Sequence, residues 1–280
     1  MRFEKWQALG NDYVILEREE LPWELTPERV RRICVPHFGV GSDGILLLAR
    51  PEDERHVAEL RIFNPDGSEA ELSGNGAREA VLYLRRSGWT DSDTFTILTK
   101  AGEVRPTILG DSAARIEIGR ASLTSPDYPG GPEDGTGEVE AAGRRWRFQH
   151  VNVGNPQCVI EVGDELEDLD LAAIGAPIER HELFPNRTNV SFIRIDGSRV
   201  QARIFERGVG ETLASGTGAA GAAVAALLRG SASPIEVELD GGTLLVEVSD
   251  ELEVALTGTT ERVFAGEFSG EFLRSLASAD

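Results

Sequence analysis

The sequence predicts an α+β protein of two similar halves, each a strongly curved β-sheet wrapped around one central α-helix. Three observations predict it. A short phrase occurs twice, as Ser73-Gly74-Asn75-Gly76-Ala77 and again, about half a chain length later, as Ser215-Gly216-Thr217-Gly218-Ala219. Each copy opens an apolar run with helical spacing. On both sides of each run the chain reads as short alternating strands joined by glycine-rich turns. At 280 residues the chain is long enough for one large or two medium cores.

The elements follow in order. Gly10-Asn11-Asp12 is a polar turn, and Tyr13 to Leu16 reads as the strand after it. Thr26-Pro27-Glu28 starts a helix: threonine caps it, proline fits the first helical position, and an acid complements the dipole. That helix runs to about Cys34 and stops before Pro36. Gly44 to Leu48 and Ala58 to Phe63 read as strands, and Asn64-Pro65-Asp66-Gly67-Ser68 as a turn. Ala77 to Arg86 carries Ala80, Val81 and Leu84 at helical spacing. Phe95 to Leu98, Val104 to Leu109 and Arg115 to Ile118 alternate as strands. Ser125 to Gly143, rich in Pro, Gly, Asp and Glu, reads as a connector.

The second half repeats the pattern. Strands are expected at Phe148 to Val153 and Val159 to Val162, and a short helix at Leu169 to Ile174. Asn189 to Ile195 and Arg199 to Glu206 alternate like a hairpin around Asp196-Gly197-Ser198. The run after the second phrase is almost all Ala, Val and Leu, so its helix is buried on every side. Ile235 to Leu239, Thr243 to Ser249 and Leu252 to Thr257 close the sheet. The expected domains are 1–120 plus 263–280, and 121–262. Their central helices would face each other across a cleft.

Composition excludes several functions. The formal net charge is −20, which repels phosphate backbones and argues against nucleic-acid binding. No apolar stretch reaches the roughly 20 residues of a membrane span, and the N-terminus carries no apolar core like that of a secretory signal. A cytoplasmic enzyme is expected. Cys34 and Cys158 are the only cysteines; with no Cys/His ligand spacing they read as buried small hydrophobes, and no metal is expected. His37, His56, His150 and His181 are scattered.

Glycines ahead of a helix let backbone N–H groups approach an anion, and the helix dipole adds about half a positive charge there. Two matched starts suit a small anion with functional groups on both sides. Asparagines recur at turns, at positions 11, 64, 75, 155 and 189. Each alone reads as turn chemistry; together they could serve an amino-acid headgroup. Glu206-Arg207 offers an acid for an ammonium and a guanidinium for a carboxylate.

Several motifs, in order, carry a family resemblance. They are Gly10-Asn11-Asp12-Tyr13, Gly41-Ser42-Asp43-Gly44, Phe63-Asn64-Pro65-Asp66-Gly67-Ser68, Gly74-Asn75-Gly76, Gly154-Asn155-Pro156, Arg187-Thr188-Asn189, Glu206-Arg207-Gly208-Val209-Gly210-Glu211-Thr212 and Gly216-Thr217-Gly218. Spread from residue 7 to about 225, they resemble diaminopimelate epimerase. The resemblance implies a diaminopimelate epimerase-like fold of two pseudo-symmetric domains, each a curved, barrel-like β-sheet around a central α-helix, with a C-terminal strand returning to the first domain (Val263 to Phe268 fits), a homodimer and no cofactor. It implies the conversion of LL- to meso-diaminopimelate in lysine and cell-wall precursor biosynthesis. By motif, Asn11, Gly44, Asn64, Asn155, Asn189, Glu206 and Arg207 would hold the amino acid. Gly74-Asn75 and Gly216-Thr217 would donate backbone N–H groups to its α-carboxylate. Residues 73 and 215 would be base and acid, one on each face of the α-carbon.

At those two positions the family has cysteine and this sequence has serine. A thiol ionises near pH 8.5 and falls by several units at a helix N-terminus. A serine hydroxyl needs a neighbouring base, and no histidine adjoins either phrase. Gln157 stands where the family usually has histidine. Three readings follow: an amino-acid epimerase or racemase whose activity is weakened, altered or abolished by Ser73 and Ser215, whether these are native or introduced; a related isomerase with a carboxylate base among Asp66, Glu71, Glu79 and Glu211; or a non-catalytic amino-acid-binding protein.

Overall fold

The computed structural model describes residues 1–278. The chain forms two compact units: Met1–Ile116 together with the segment from Gly258 onward, and Glu117–Thr257.

The first unit contains β1 (Arg2–Ala8), β2 (Asn11–Glu17), α1 (Pro27–Cys34), β3 (Ile45–Ala49), β4 (Ala58–Phe63), β5 (Glu69–Ala70), α2 (Gly74–Arg86), β6 (Ile97–Thr99), β7 (Gly102–Val104) and β8 (Pro106–Ile108). The chain leaves it within β9 (Ala113–Arg120). The turn between β1 and β2 places Leu9 at φ 55° and Gly10 at φ 87°. Thr26 Oγ1 accepts the Arg29 N–H, so α1 starts on its cap.

The second unit contains β10 (Thr136–Ala141), β11 (Arg144–Asn152), β12 (Pro156–Glu161), α3 (Leu171–Glu179), β13 (Asn189–Asp196), β14 (Arg199–Glu206), β15 (Gly210–Thr212), α4 (Gly216–Leu228), β16 (Ile235–Leu239), β17 (Gly242–Val248) and β18 (Glu253–Thr259). The chain then returns to the first unit as β19 (Glu261–Glu267) and α5 (Gly270–Ala277).

Both sheets are mixed. In the first unit the order is β19-β1-β2-β3-β4-β6-β7, with β2·β3 and β4·β6 parallel. In the second it is β10-β11-β12-β13-β14-β16-β17-β18, with β12·β13 and β14·β16 parallel. β19 pairs antiparallel with β1, Phe3 opposite Gly266. Arg29 Nε and Arg32 Nη1 donate to the carbonyls of Leu276 and Ser275 in the last turn of α5, where a helix end is negative.

Each sheet packs against its own helix. α2 lies on β1, β2, β3 and β8, and is buried from Gly74 to Leu84. α4 lies on β11 to β14, β16 and β17; its Ala219–Ala226 stretch is inaccessible to solvent except for no more than trace area. Small side chains let strands close on it. A Cβ at Gly221 would come within 2.9 Å of Gln157 Cγ, and one at Gly218 within 2.5 Å of Ile204 Cδ1. A larger aromatic cluster, with Tyr128, Trp146, Phe148, Phe184 and Phe192, fills the other side of the second sheet.

The structure corrects several sequence expectations. The connector expected at Ser125 to Gly143 contains β10, whose Val139 lies opposite Trp146 of β11. The single strand expected at Val104 to Leu109 is two. β7 pairs with β6 and β8 with β9, and the break falls at Arg105, before a proline that has no N–H to donate. The helix expected at Leu169 to Ile174 begins after its true cap, Asp170, and continues through Gly175 and Pro177 to Glu179. The strand expected at Phe95 to Leu98 is displaced to Ile97–Thr99. Among the described residues no helix is long and apolar enough to cross a membrane.

Candidate active site

The two phrases fold alike. Ser73 caps α2 at φ −130°, ψ 121°, and Ser215 caps α4 at φ −138°, ψ 120°. Ser73 Oγ accepts the Gly76 N–H at 3.1 Å; Ser215 Oγ accepts the Gly218 N–H at 3.2 Å. The backbone carbonyls of Ser73 and Ser215 accept from Ala77 and Ala219. Helix geometry therefore leaves the N–H groups of Gly74 and Asn75, and of Gly216 and Thr217, without intrahelical acceptors. Each end presents two donors and a hydroxyl to an anion.

An asparagine from the preceding sheet braces each end. Asn75 Nδ2 donates to Asn11 Oδ1 at 3.1 Å, and Asn155 Nδ2 donates to Thr217 Oγ1 at 3.2 Å. Two residues beyond each asparagine the halves diverge. Tyr13 Oη donates to Ser73 Oγ at 3.3 Å. Gln157 Nε2 donates to Asn155 Oδ1 at 2.7 Å, while its buried Oε1 has no partner. Gly44 bears on the first end through Tyr13: a Cβ there would lie 2.7 Å from the ring and 2.2 Å from the Phe63 carbonyl. Asn64 is held in its turn, donating to Ser68 Oγ at 3.0 Å.

The remaining candidates form a second group within the second unit. Asn189 Oδ1 accepts the Arg207 N–H at 2.7 Å, and Arg207 Nη1 donates to the Asn186 carbonyl at 3.0 Å. Glu206 Oε1 accepts from Thr212 Oγ1 at 2.8 Å, across the β14–β15 hairpin.

Sequence reading missed three supporting side chains. Tyr13 lay inside a quoted motif, but its contact spans 60 residues. Arg78 is fully buried and donates to the Gly74 carbonyl at 3.0 Å and to Asn75 Oδ1 at 2.7 Å. Glu179, at the end of α3, accepts the Gly208 N–H at 2.9 Å and pairs with Arg180 and Arg187. Only the position of Arg78 one turn into the helix was a local signal.

The carboxylates considered as alternative bases are engaged elsewhere or exposed. Glu211 pairs with Arg203 at 2.7 Å. Asp66 accepts from the hydroxyl and backbone of Ser68, which hold it below its ordinary range. Glu71 is exposed. Glu79 is fully buried, both oxygens lack partners, and burial pushes its pKa well up despite Arg78. Both cysteines are buried; burial pushes the Cys34 thiol up to about 11 and also raises that of Cys158.

The frame is two mixed sheets with a capped helix start in each half. The family model for diaminopimelate epimerase matches residues 3–124 and 149–263, and the chain belongs to that family. It is 39% identical over 277 residues to diaminopimelate epimerase 2 of Nostoc sp., covering 97% of this chain and 96% of that one. It is 38% identical over 279 residues to the diaminopimelate epimerase of Pelotomaculum thermopropionicum, covering 96% and 99%. Among solved structures, a predicted epimerase of Pseudomonas aeruginosa superposes with TM-score 0.67 at 18% identity, covering 95% and 98%. A hydroxyproline epimerase of Agrobacterium vitis gives 0.68 at 16%, covering 95% and 91%. The chain is an isomerase of this family.

Proposed function

We propose that the chain acts on diaminopimelate, inverting an α-carbon without a cofactor, with Ser73 and Ser215 at the two proton-transfer positions. The observation that carries this reading is the matched pair of caps. Each combines a hydroxyl with two N–H groups that helix geometry leaves for a carboxylate. In this reading those donors stabilise the carboxylate as it gains enediolate character. Asn11, Asn64, Asn155, Asn189, Glu206 and Arg207 hold the amino-acid headgroups. A homodimer, a cytoplasmic location and a place in lysine biosynthesis belong to the same reading and rest on family membership.

The hydroxyls set the rate. Ser73 Oγ accepts from both Gly76 N–H and Tyr13 Oη, and two donors favour its alkoxide. A hydroxyl still ionises far less readily than a thiol, so turnover is slow and binding is retained. The test is α-proton exchange from LL-diaminopimelate in deuterated water, for the native chain and for a Ser73→Cys/Ser215→Cys double variant. Restored thiols should raise exchange and epimerisation by roughly 10²–10⁴, the usual span of positioned acid–base catalysis. A folded double variant that neither exchanges nor epimerises would sink the reading.

A further inference from the structure

The two helix starts match in backbone but not in charge. Aligned on their caps, α2 has Arg78 and Glu79 where α4 has Ala220 and Gly221. Arg78 and Glu79 are both at zero exposure. Arg78 spends two donors on the first turn, on the Gly74 carbonyl and on Asn75 Oδ1. That fixes which way the Asn75 amide points. With its oxygen taken, its nitrogen faces Asn11 Oδ1. Asn11 in turn donates through Nδ2 to Asp43 Oδ2, which also accepts the Asp12 N–H. The chain of bonds runs one way, from a buried cation to a surface carboxylate, and neither amide can flip without breaking two contacts.

Glu79 makes no hydrogen bond to this cation. Its oxygens make no hydrogen bond, Arg78 Nε is also without one, and burial together with Asp12 and Asp43 favours its protonated form. Burial brings Arg78 down to about 10, which leaves it charged at neutral pH. The Arg78 guanidinium thus reaches back onto the first turn of α2, where the dipole already supplies about half a positive charge.

We propose that Arg78 is a positioning residue that orients the Asn75–Asn11 amide pair and makes the α2 start the more strongly carboxylate-binding of the two. This rests on the reading of that start as a carboxylate holder. The α4 start has Ala220 and Gly221 at the matching positions and so no cation in its helix; Asn155 alone braces it, through Thr217 Oγ1.

The test uses the full chain, meso-diaminopimelate as calorimetric probe, and the side-chain amide NMR signals of Asn75. Arg78→Met keeps an unbranched apolar stem but removes the guanidinium; its Kd should rise at least about tenfold, the loss expected for one charge-assisted hydrogen bond, and Asn75 should lose its exchange protection. Glu79→Gln should change Kd by less than about twofold, because neither Glu79 oxygen is bonded to Arg78 or to either amide. Arg78→Lys keeps the charge but cannot fork to both acceptors, so Asn75 protection should fall even there; this variant decides the matter if Arg78→Met does not fold. Native Kd and native Asn75 protection in a folded Arg78→Met or Arg78→Lys protein overturn the proposal, as does a Glu79→Gln protein weakened more than tenfold. A native chain that does not bind the probe, with Asn75 protection still lost in Arg78→Met, sinks the substrate assignment and supports the positioning role.

Discussion

Glu179 Oε1 accepts the backbone N–H of Gly208 at 2.9 Å, joining the end of α3 to the turn that follows Glu206-Arg207. The carboxylate is 1% exposed and also binds the guanidinium groups of Arg180 and Arg187. The main chain reinforces it: Thr188 N–H donates to the Glu179 carbonyl. One buried acid thus secures both loops that present Asn189 and Arg207. Glu179→Gln should cost about 2 kcal/mol in urea unfolding, the worth of hydrogen bonds to a charged group. It should weaken diaminopimelate binding as well. Unchanged stability and affinity would show that the loops hold themselves.

Capping and chemistry can be separated at residue 73. Ser73→Ala should lower stability by about 1 kcal/mol, as N-cap truncations do. Ser73→Asp keeps a cap acceptor for Gly76 N–H and should stay near native stability. Neither variant should exchange the substrate α-proton above background. Denaturation midpoints beside exchange rates check this, and an equal loss of stability in both would contradict the cap.

Tyr13→Phe removes a single oxygen, the donor 3.3 Å from Ser73 Oγ. Stability should change by less than about 1.5 kcal/mol, since one hydrogen bond between hydroxyls is lost. Exchange at the substrate α-carbon should fall by roughly tenfold or more, with Kd nearly unchanged. A change in Kd without a change in rate would assign Tyr13 to binding.

Gly221→Ala tests the fit of the second sheet on α4. In an open helix this change is favourable, by about 0.4–1 kcal/mol. Here the new methyl would lie 2.9 Å from Gln157 Cγ and 3.0 Å from its Cβ. Overpacking should reverse the sign, to about 1–3 kcal/mol of destabilisation, and should disturb the Gln157–Asn155 bond. Calorimetric melting decides the sign.

Glu79 gives a pH dependence. Its folded pKa lies above the ordinary 4.5, because burial outweighs Arg78 while Asp12 and Asp43 add to the rise. A raised folded pKa contributes stability that is full below the unfolded pKa and is lost as pH rises toward the folded one. Glu79→Gln carries no such titration. Its stability relative to the native chain should therefore increase from about pH 4.5 upward, by up to about 1.4 kcal/mol per pH unit. Urea unfolding at a series of pH values measures the difference; a flat difference would mean that Glu79 ionises normally.

Local chemistry was readable where one segment carried all of it. The α1 start is visible because Thr26, Pro27 and Glu28 sit side by side, and the β13–β14 hairpin because its turn residues separate two alternating runs. β10 was hidden because its alternation is set in a Pro- and Gly-rich stretch, and only its pairing with β11 makes it a strand. α3 was cut short because Gly175 and Pro177 usually end a helix; packing against Phe205 carries it on. The same divide runs through the site. Both caps could be read from Ser-Gly-X-Gly. Tyr13 and Glu179 could not, because each acts on a partner that folding brings from far along the chain.

β19 and α5 complete the sheet and helix layer begun by β1 and α1, and Phe268 N–H donates to the carbonyl of Met1. On the ribosome this imposes an order. The segment Glu117–Thr257 is contiguous and carries β10 to β17 whole once it emerges. The part synthesised first must wait with an open edge at β1 until Glu261–Glu267 leaves the exit tunnel. The later-made half is thus free to mature first, and the earlier one is finished only once β19 and α5 have emerged.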